Sequence, residues 1–166
     1  ALVAKRHPGV HLHVLGDGPL RVLLDTEAQA LNLSEHITFH GNVPHERLPD
    51  FYRAADLFVL SSRYESQSLV VLEAAACGCP ATGTAVGILP ELLLPEYLAP
   101  VGDSAALAAA IEHGLEQPRR LVEAGFTAHR IAINRYSLGQ TVPAFEALYL
   151  TLATSSGSDA EQPNDT

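Results

Sequence analysis

A few short apolar runs, set between stretches of helical periodicity, restrict this chain to a narrow choice of architectures. "DLFVL" (56–60) is continuously apolar after its aspartate, the pattern of a strand buried on both faces. "VHLHVLG" (10–16) and "ITFHG" (37–41) are rich in aliphatic and β-branched residues and end at glycine. Helical patterns lie between them. Pro19 opens "PLRVLLDTEAQALNL", with Leu20, Leu23, Leu24, Ala28 and Leu31 at helical spacing. "PHERLPDFYRAA" places Leu48, Phe51, Tyr52 and Ala55 on one face, and its Pro49 is tolerable only in a first turn. After "DLFVL" comes the loop "SSRYES", then an apolar helix, "QSLVVLEAAACG", that Gly78 can end. "CPATGT" and "EYLAPV" are weaker strand candidates. "DSAALAAAIEHGLEQ" is a helix capped by Asp103 or Ser104, and helical stretches follow at about 119–135 and 138–152. Alternating strands and helices at this spacing predict an α/β fold, a parallel sheet with helices on both faces.

At 166 residues there is material for one domain with a sizeable core, expected over 1–153. The polar, acidic end, 154–166, reads as a disordered tail. The charge of −9 argues against non-specific nucleic-acid binding, since such a surface repels phosphate backbones. No apolar run is long enough to cross a bilayer and the start lacks a signal-peptide core, so a cytoplasmic location is expected. Cys77 and Cys79 are too close for easy disulfide geometry and are read as small residues near a helix end. His11 and His13 would share a strand face, but no third ligand at sensible spacing accompanies them, and no metal site is expected.

In an open parallel sheet, ligands bind beyond the carboxyl ends of the strands, where helix amino ends point. The candidate loops are "GDGP" (16–19), "HGNVP" (40–44), "SSRYESQS" (61–68) and "TAVG" (84–87). "GDGP" lacks the third glycine of a dinucleotide fingerprint and could be a plain tight turn. The third loop says more. Ser66 or Ser68 can cap the next helix, leaving the amides of Gln67, Ser68, Leu69 and Val70 nearly free at a positive dipole end suited to phosphate. Glu65 stands before that helix and Glu73 within it. Eight helical residues rise about 12 Å, too far to share one proton but suited to the two ends of an extended ligand. Carboxylates are strong acceptors for hydroxyls. Glu73 lies among valines, leucine and alanines, and an acid so placed needs a partner. Spacing alone leaves two ordinary, capped or salt-bridged acids as the alternative. Arg63 is expected to be solvated or to pair with Glu65.

Taken together, "DLFVLSSRYESQSLVVLEAAACGCP" resembles the nucleotide-sugar-binding half of a GT-B-fold retaining glycosyltransferase of the family 4 (group 1) type, whose signature is E-x7-E. "LHVLGDGP", "ITFHGNVPHERLPDFYRAADLFVL", "TAVGILPELL" and "LAPVGDSAALAAAI" resemble further family motifs, in the right order. The resemblance implies a Rossmann-like half of the GT-B fold that binds a nucleoside diphosphate sugar for transfer with retention, with no cofactor and no protein-bound metal. It assigns Glu73 to the ribose hydroxyls and Glu65, the one residue given a catalytic role, to hydroxyls of the donor sugar. The amides of Ser68 and Leu69 would hold the diphosphate beside Ser66 and Gln67. The backbone around Phe39 to Val43 would meet the base, and Gly16 and Gly18 would line the cleft. Ile88, standing where the family has a second glycine, is expected to narrow the approach to the sugar.

The resemblance also implies parts outside these residues: the domain's first, central strand, a pair of basic residues that neutralise the diphosphate, and an N-terminal domain for an acceptor of unknown identity. Peripheral association of the whole enzyme with a membrane fits the same picture. Without the central strand, two half-sheets would keep unpaired inner edges, which is unfavourable; the residues as given are therefore expected to be incomplete, to fold differently or to lack activity, and not to be a working enzyme alone. A non-catalytic interaction module of the same architecture is the alternative.

Overall fold

The computed structural model of the chain describes residues 1–156. After a short helix α1 (Leu2–Arg6), strands and helices alternate: β1 (Leu12–Leu15), α2 (Arg21–Ala30), β2 (Ile37–Gly41), α3 (Leu48–Ala54), β3 (Phe58–Leu60), α4 (Leu69–Ala76), β4 (Ala81–Thr84), α5 (Leu89–Leu92) and β5 (Leu98–Ala99). Three longer helices close the order: α6 (Ser104–Glu116), α7 (Pro118–Tyr136) and α8 (Leu138–Ser156). Pro49 does lie in the first turn of α3. Asp103 accepts a hydrogen bond from the Ala106 amide at 2.8 Å, so of the two expected caps of α6 it is Asp103 that serves. Helix α8 contains Pro143 and continues past the expected boundary at 153; positions 157–166 of the expected tail lie outside the described residues.

All strand pairs are parallel, but the strands form two sheets, β1-β2 and β3-β4-β5. Neither β1 nor β3 has a strand on its second edge among the described residues. The fold is therefore α/β and Rossmann-like, with its parallel strands divided between two sheets.

The two halves differ in burial. The core collects around the three-stranded sheet, where Leu60, Val71, Ala75, Leu89, Tyr97 and Leu121 are among the buried residues, with α7 packed over α4. Strand β4 is wholly buried despite being built of Ala81, Thr82, Gly83 and Thr84. Small residues suit it because its neighbour is so close: a Cβ on Gly83 would lie 2.4 Å from the Leu60 carbonyl oxygen. In the β1-β2 half, by contrast, Ala28 is the one fully buried residue before Leu60, and Leu20, Val22, Leu23, Leu24 and Leu31 of α2 and its flanks are exposed.

Candidate functional site

The loop after β3 is assembled by short polar contacts. Thr84 at the end of β4 donates to the Ser62 carbonyl (2.6 Å), and the Ser62 hydroxyl donates to Oε1 of Glu65 (2.8 Å). Arg63 is exposed and makes no ion pair among the described residues, which is the solvated one of its two expected states. The loop after β4 presses on the same segment. Gly87 has φ +55°, and its neighbour Ile88 donates its N–H to the Gln67 carbonyl at 3.1 Å. The Ile88 side chain turns into the core and is buried, which fixes this loop from beneath.

Ser68 takes the N-cap position of α4, but not as a capping side chain. Its backbone is left-handed (φ +76°, ψ +76°), and its hydroxyl accepts nothing from the helix. That hydroxyl is buried and without a partner. The N–H groups of Ser68, Leu69 and Val70 likewise meet no acceptor among the described residues; the first backbone bonds of the helix are Val71 N–H and Leu72 N–H to the Ser68 carbonyl. Three donors at a positive helix end, with a buried hydroxyl beside them, form a seat for an anion. Ser66 and Gln67 are exposed at its edge.

Glu73, one turn from the end of α4, has the partner its apolar setting demands. Tyr52 of α3 donates its hydroxyl to Oε2 at 3.0 Å, and His45, on the loop after β2, sets Nε2 3.4 Å from Oε1. Burial, then the bond to Glu73, raises the Tyr52 phenol above its ordinary pKa, so it stays a donor. Sequence reasoning found Glu73 and missed these two, since 21 and 28 residues separate them from it.

The loops after β1 and β2 are tied to each other. Gly16 donates its N–H to the Gly41 carbonyl at 2.7 Å, and Asp17 accepts from the Gly18 amide at 2.8 Å. Arg21 lies over the Phe39 ring, 4.3 Å from its centroid. Phe39 and Val43 are half-buried. His45 then reaches Glu73 and connects this pair of loops to α4. The four candidate loops thus meet in two pairs, and His45 links the pairs. Beside Ser66, Gln67, Gly87 and Ile88 is a hollow of about 420 Å³, also lined by Glu91 and Tyr136, whose hydroxyl donates to Glu91 at 2.8 Å.

Two lesser groups can be placed. His13 does have a neighbour that the spacing did not reveal, His40 of β2, at 2.9 Å between ring nitrogens. Even so, no three His, Cys, Asp or Glu side chains among the described residues are arranged to hold a metal. Cys79 is buried and Cys77 half-buried, both as free thiols; burial pushes the Cys79 thiol up to about 11.

Residues 1–129 match the family model for glycosyl transferases group 1, and the chain belongs to that family. A 2-deoxystreptamine N-acetyl-D-glucosaminyltransferase from Streptomyces fradiae is 32% identical over 92% of this chain and 37% of its own length. Among solved structures, sucrose-phosphate synthase from Thermosynechococcus elongatus superposes with a TM-score of 0.81 at 31% identity, over 93% of this chain and 42% of that one. The Anabaena protein HepE, solved in complex with UDP, gives 0.78 at 24% identity, over 92% of this chain and 44% of that one, a likeness of fold. The chain thus spans about two fifths of such relatives. Among the described residues, no helix is long and apolar enough to cross a membrane.

Proposed function

We propose that this chain is the donor-binding part of a glycosyltransferase that moves a sugar from a nucleoside diphosphate sugar to an acceptor with retention of configuration. The observation that carries this reading is the start of α4, where unpaired amides and the buried, partnerless Ser68 hydroxyl lie between Glu65 and Glu73. A diphosphate meets the helix end through the amides of Ser68 and Leu69, gaining about 0.3–1 kcal/mol from the helix dipole besides its hydrogen bonds. Glu73 faces the ribose hydroxyls and Glu65 those of the donor sugar. The linked loops carrying Gly16, Gly18, Phe39 and Val43 line the side where the base would lie. The acceptor and the groups that neutralise the diphosphate belong to the remaining three fifths of a relative-sized protein, and any membrane association belongs to that whole. UDP in the HepE crystal supports the ligand class by fold likeness.

Titration with UDP, GDP and ADP and their sugars, by calorimetry or ligand-observed NMR, tests the proposal. Binding of at least one nucleotide is expected. Glu73→Ala should weaken nucleotide and nucleotide sugar alike, and Glu65→Ala only the sugar-bearing ligand. Absence of binding to all of them, or equal losses in both variants, overturns it.

A further inference from the structure

Glu73 is not a free carboxylate waiting for a ligand. Two side chains from different elements already address it, one at each oxygen: the Tyr52 hydroxyl on Oε2 and the His45 ring on Oε1. We propose that Tyr52 and His45 are positioning residues that hold the Glu73 carboxylate so that its remaining acceptor sites fit a vicinal diol, and that they thereby set the preference of this site for ribonucleotides over 2′-deoxyribonucleotides. This deepens the donor-binding reading above and rests on it.

A carboxylate offers about four lone-pair positions, two on each oxygen. With Tyr52 on one oxygen and His45 on the other, one position is left on each. Two acceptor positions on one planar group match two neighbouring hydroxyl donors. A carboxylate that rotated freely about its last bond would present the same number of acceptors in no fixed plane, and a diol would lose the second bond.

The two supports differ in kind, and this makes them separable. Tyr52 is half-buried, and its ring packs edge-on against Phe58 at the start of β3, with 5.9 Å between centroids. It comes from α3, which packs on α4, so its hydroxyl is placed by the core. The phenol also keeps its proton, being raised by burial and by Glu73 itself. His45 is different. Its side chain is 79% exposed and stands on the first residue of a 3₁₀ turn, beside the Val43 and Pro44 backbone. Its contact at 3.4 Å is looser than the 3.0 Å of Tyr52. Tyr52 sets the plane of the carboxylate and His45 limits its swing.

The experiment compares UDP, GDP and ADP with their 2′-deoxy counterparts on the protein and on Tyr52→Phe, His45→Ala and His45→Gln. The protein should prefer the ribonucleotide by roughly tenfold, the size of one hydrogen bond to a charged group. Tyr52→Phe keeps the ring and its packing and deletes the donor; it should cut the preference to about threefold or less by weakening the ribonucleotide alone. His45→Ala should cut it as well, and His45→Gln, which retains an N–H donor, should restore it. Equal weakening of both nucleotides in Tyr52→Phe and His45→Ala would show a merely structural role and overturn the proposal. An unchanged preference in both variants would do the same. If Tyr52→Phe fails to fold, the His45 pair decides, since that side chain is exposed. Should the unaltered protein bind ribo- and deoxynucleotides equally, the inference falls while nucleotide binding stands. If it binds neither, the donor-binding reading itself has failed.

Discussion

Replacing Gly87 by alanine adds one methyl group where the structure leaves no space for it. Built on the native backbone, that Cβ lies 2.9 Å from the Glu65 Cβ and 3.1 Å from the Gln67 carbonyl oxygen. The residue also has φ +55°, which costs an L-residue about 1–2 kcal/mol. Relieving the overlap means moving the Glu65–Gln67 backbone by several tenths of an ångström, a cost typical of overpacking at about 1–3 kcal/mol. The sum, about 2–5 kcal/mol, corresponds to a fall in Tm on the order of 10 °C for a domain of this size. The displaced segment carries Glu65, whereas Glu73 sits in the helix behind it. Sugar-dependent affinity should therefore fall more than affinity for the bare nucleoside diphosphate. Thermal unfolding and calorimetric titration of Gly87→Ala measure both, with Gly9→Ala as control, where no atom lies within 4 Å of the added carbon. A Gly87→Ala protein with unaltered Tm and unaltered sugar discrimination would refute the claim that this glycine lets the two loops meet.

Asp103→Ala should cost about 1 kcal/mol in chemical denaturation through loss of the cap on α6, and Asp103→Asn much less. Arg6 pairs with Glu112, which is buried on α6, so Arg6→Ala should destabilise by about 1–3 kcal/mol by leaving a buried carboxylate unpaired; a change near zero would show that Glu112 finds water instead. The Cys79 thiol is raised from an ordinary 9.0 to about 11 in the folded protein. The unfolded chain therefore releases that proton first, and stability should fall as pH rises from about 9 to about 11, a slope that Cys79→Ala reduces in Tm measured against pH. At pH 8 a thiol reagent should accordingly label Cys79 only on unfolding, as mass spectrometry of the native and denatured protein would show.

Where a signal was local, the sequence carried it. "DLFVL" reads as a buried strand because its apolar run is unbroken, and Asp103 reads as a cap because capping needs only the next three residues. "CPATGT" is weak because β4 is selected for smallness: Gly83 fits under the Leu60 carbonyl at the expense of strand propensity. Spacing and setting singled out Glu65 and Glu73 but left two ordinary acids as the alternative, and only the family resemblance gave each a role. The Ser68 cap was not what the residue type suggested, since its backbone is left-handed and its hydroxyl makes no capping bond to the helix. Tyr52, His45 and His40 were invisible as partners because each contact joins separate elements of the fold.

The division of the sheet has a thermodynamic consequence for ligand binding. One part of the candidate cleft, Gly16, Gly18, Phe39 and Val43, belongs to the β1-β2 half with its exposed leucines, while Glu65, Ser68 and Glu73 rest on a packed core. A ligand spanning both must hold a loosely anchored module against a firm one, so some binding free energy goes into ordering residues that never touch it. Calorimetry at several temperatures should then return a heat-capacity change more negative than the ligand's own contact area accounts for. Amides of β1 and β2 should gain protection from hydrogen exchange on binding, while those of β4, already buried, change little.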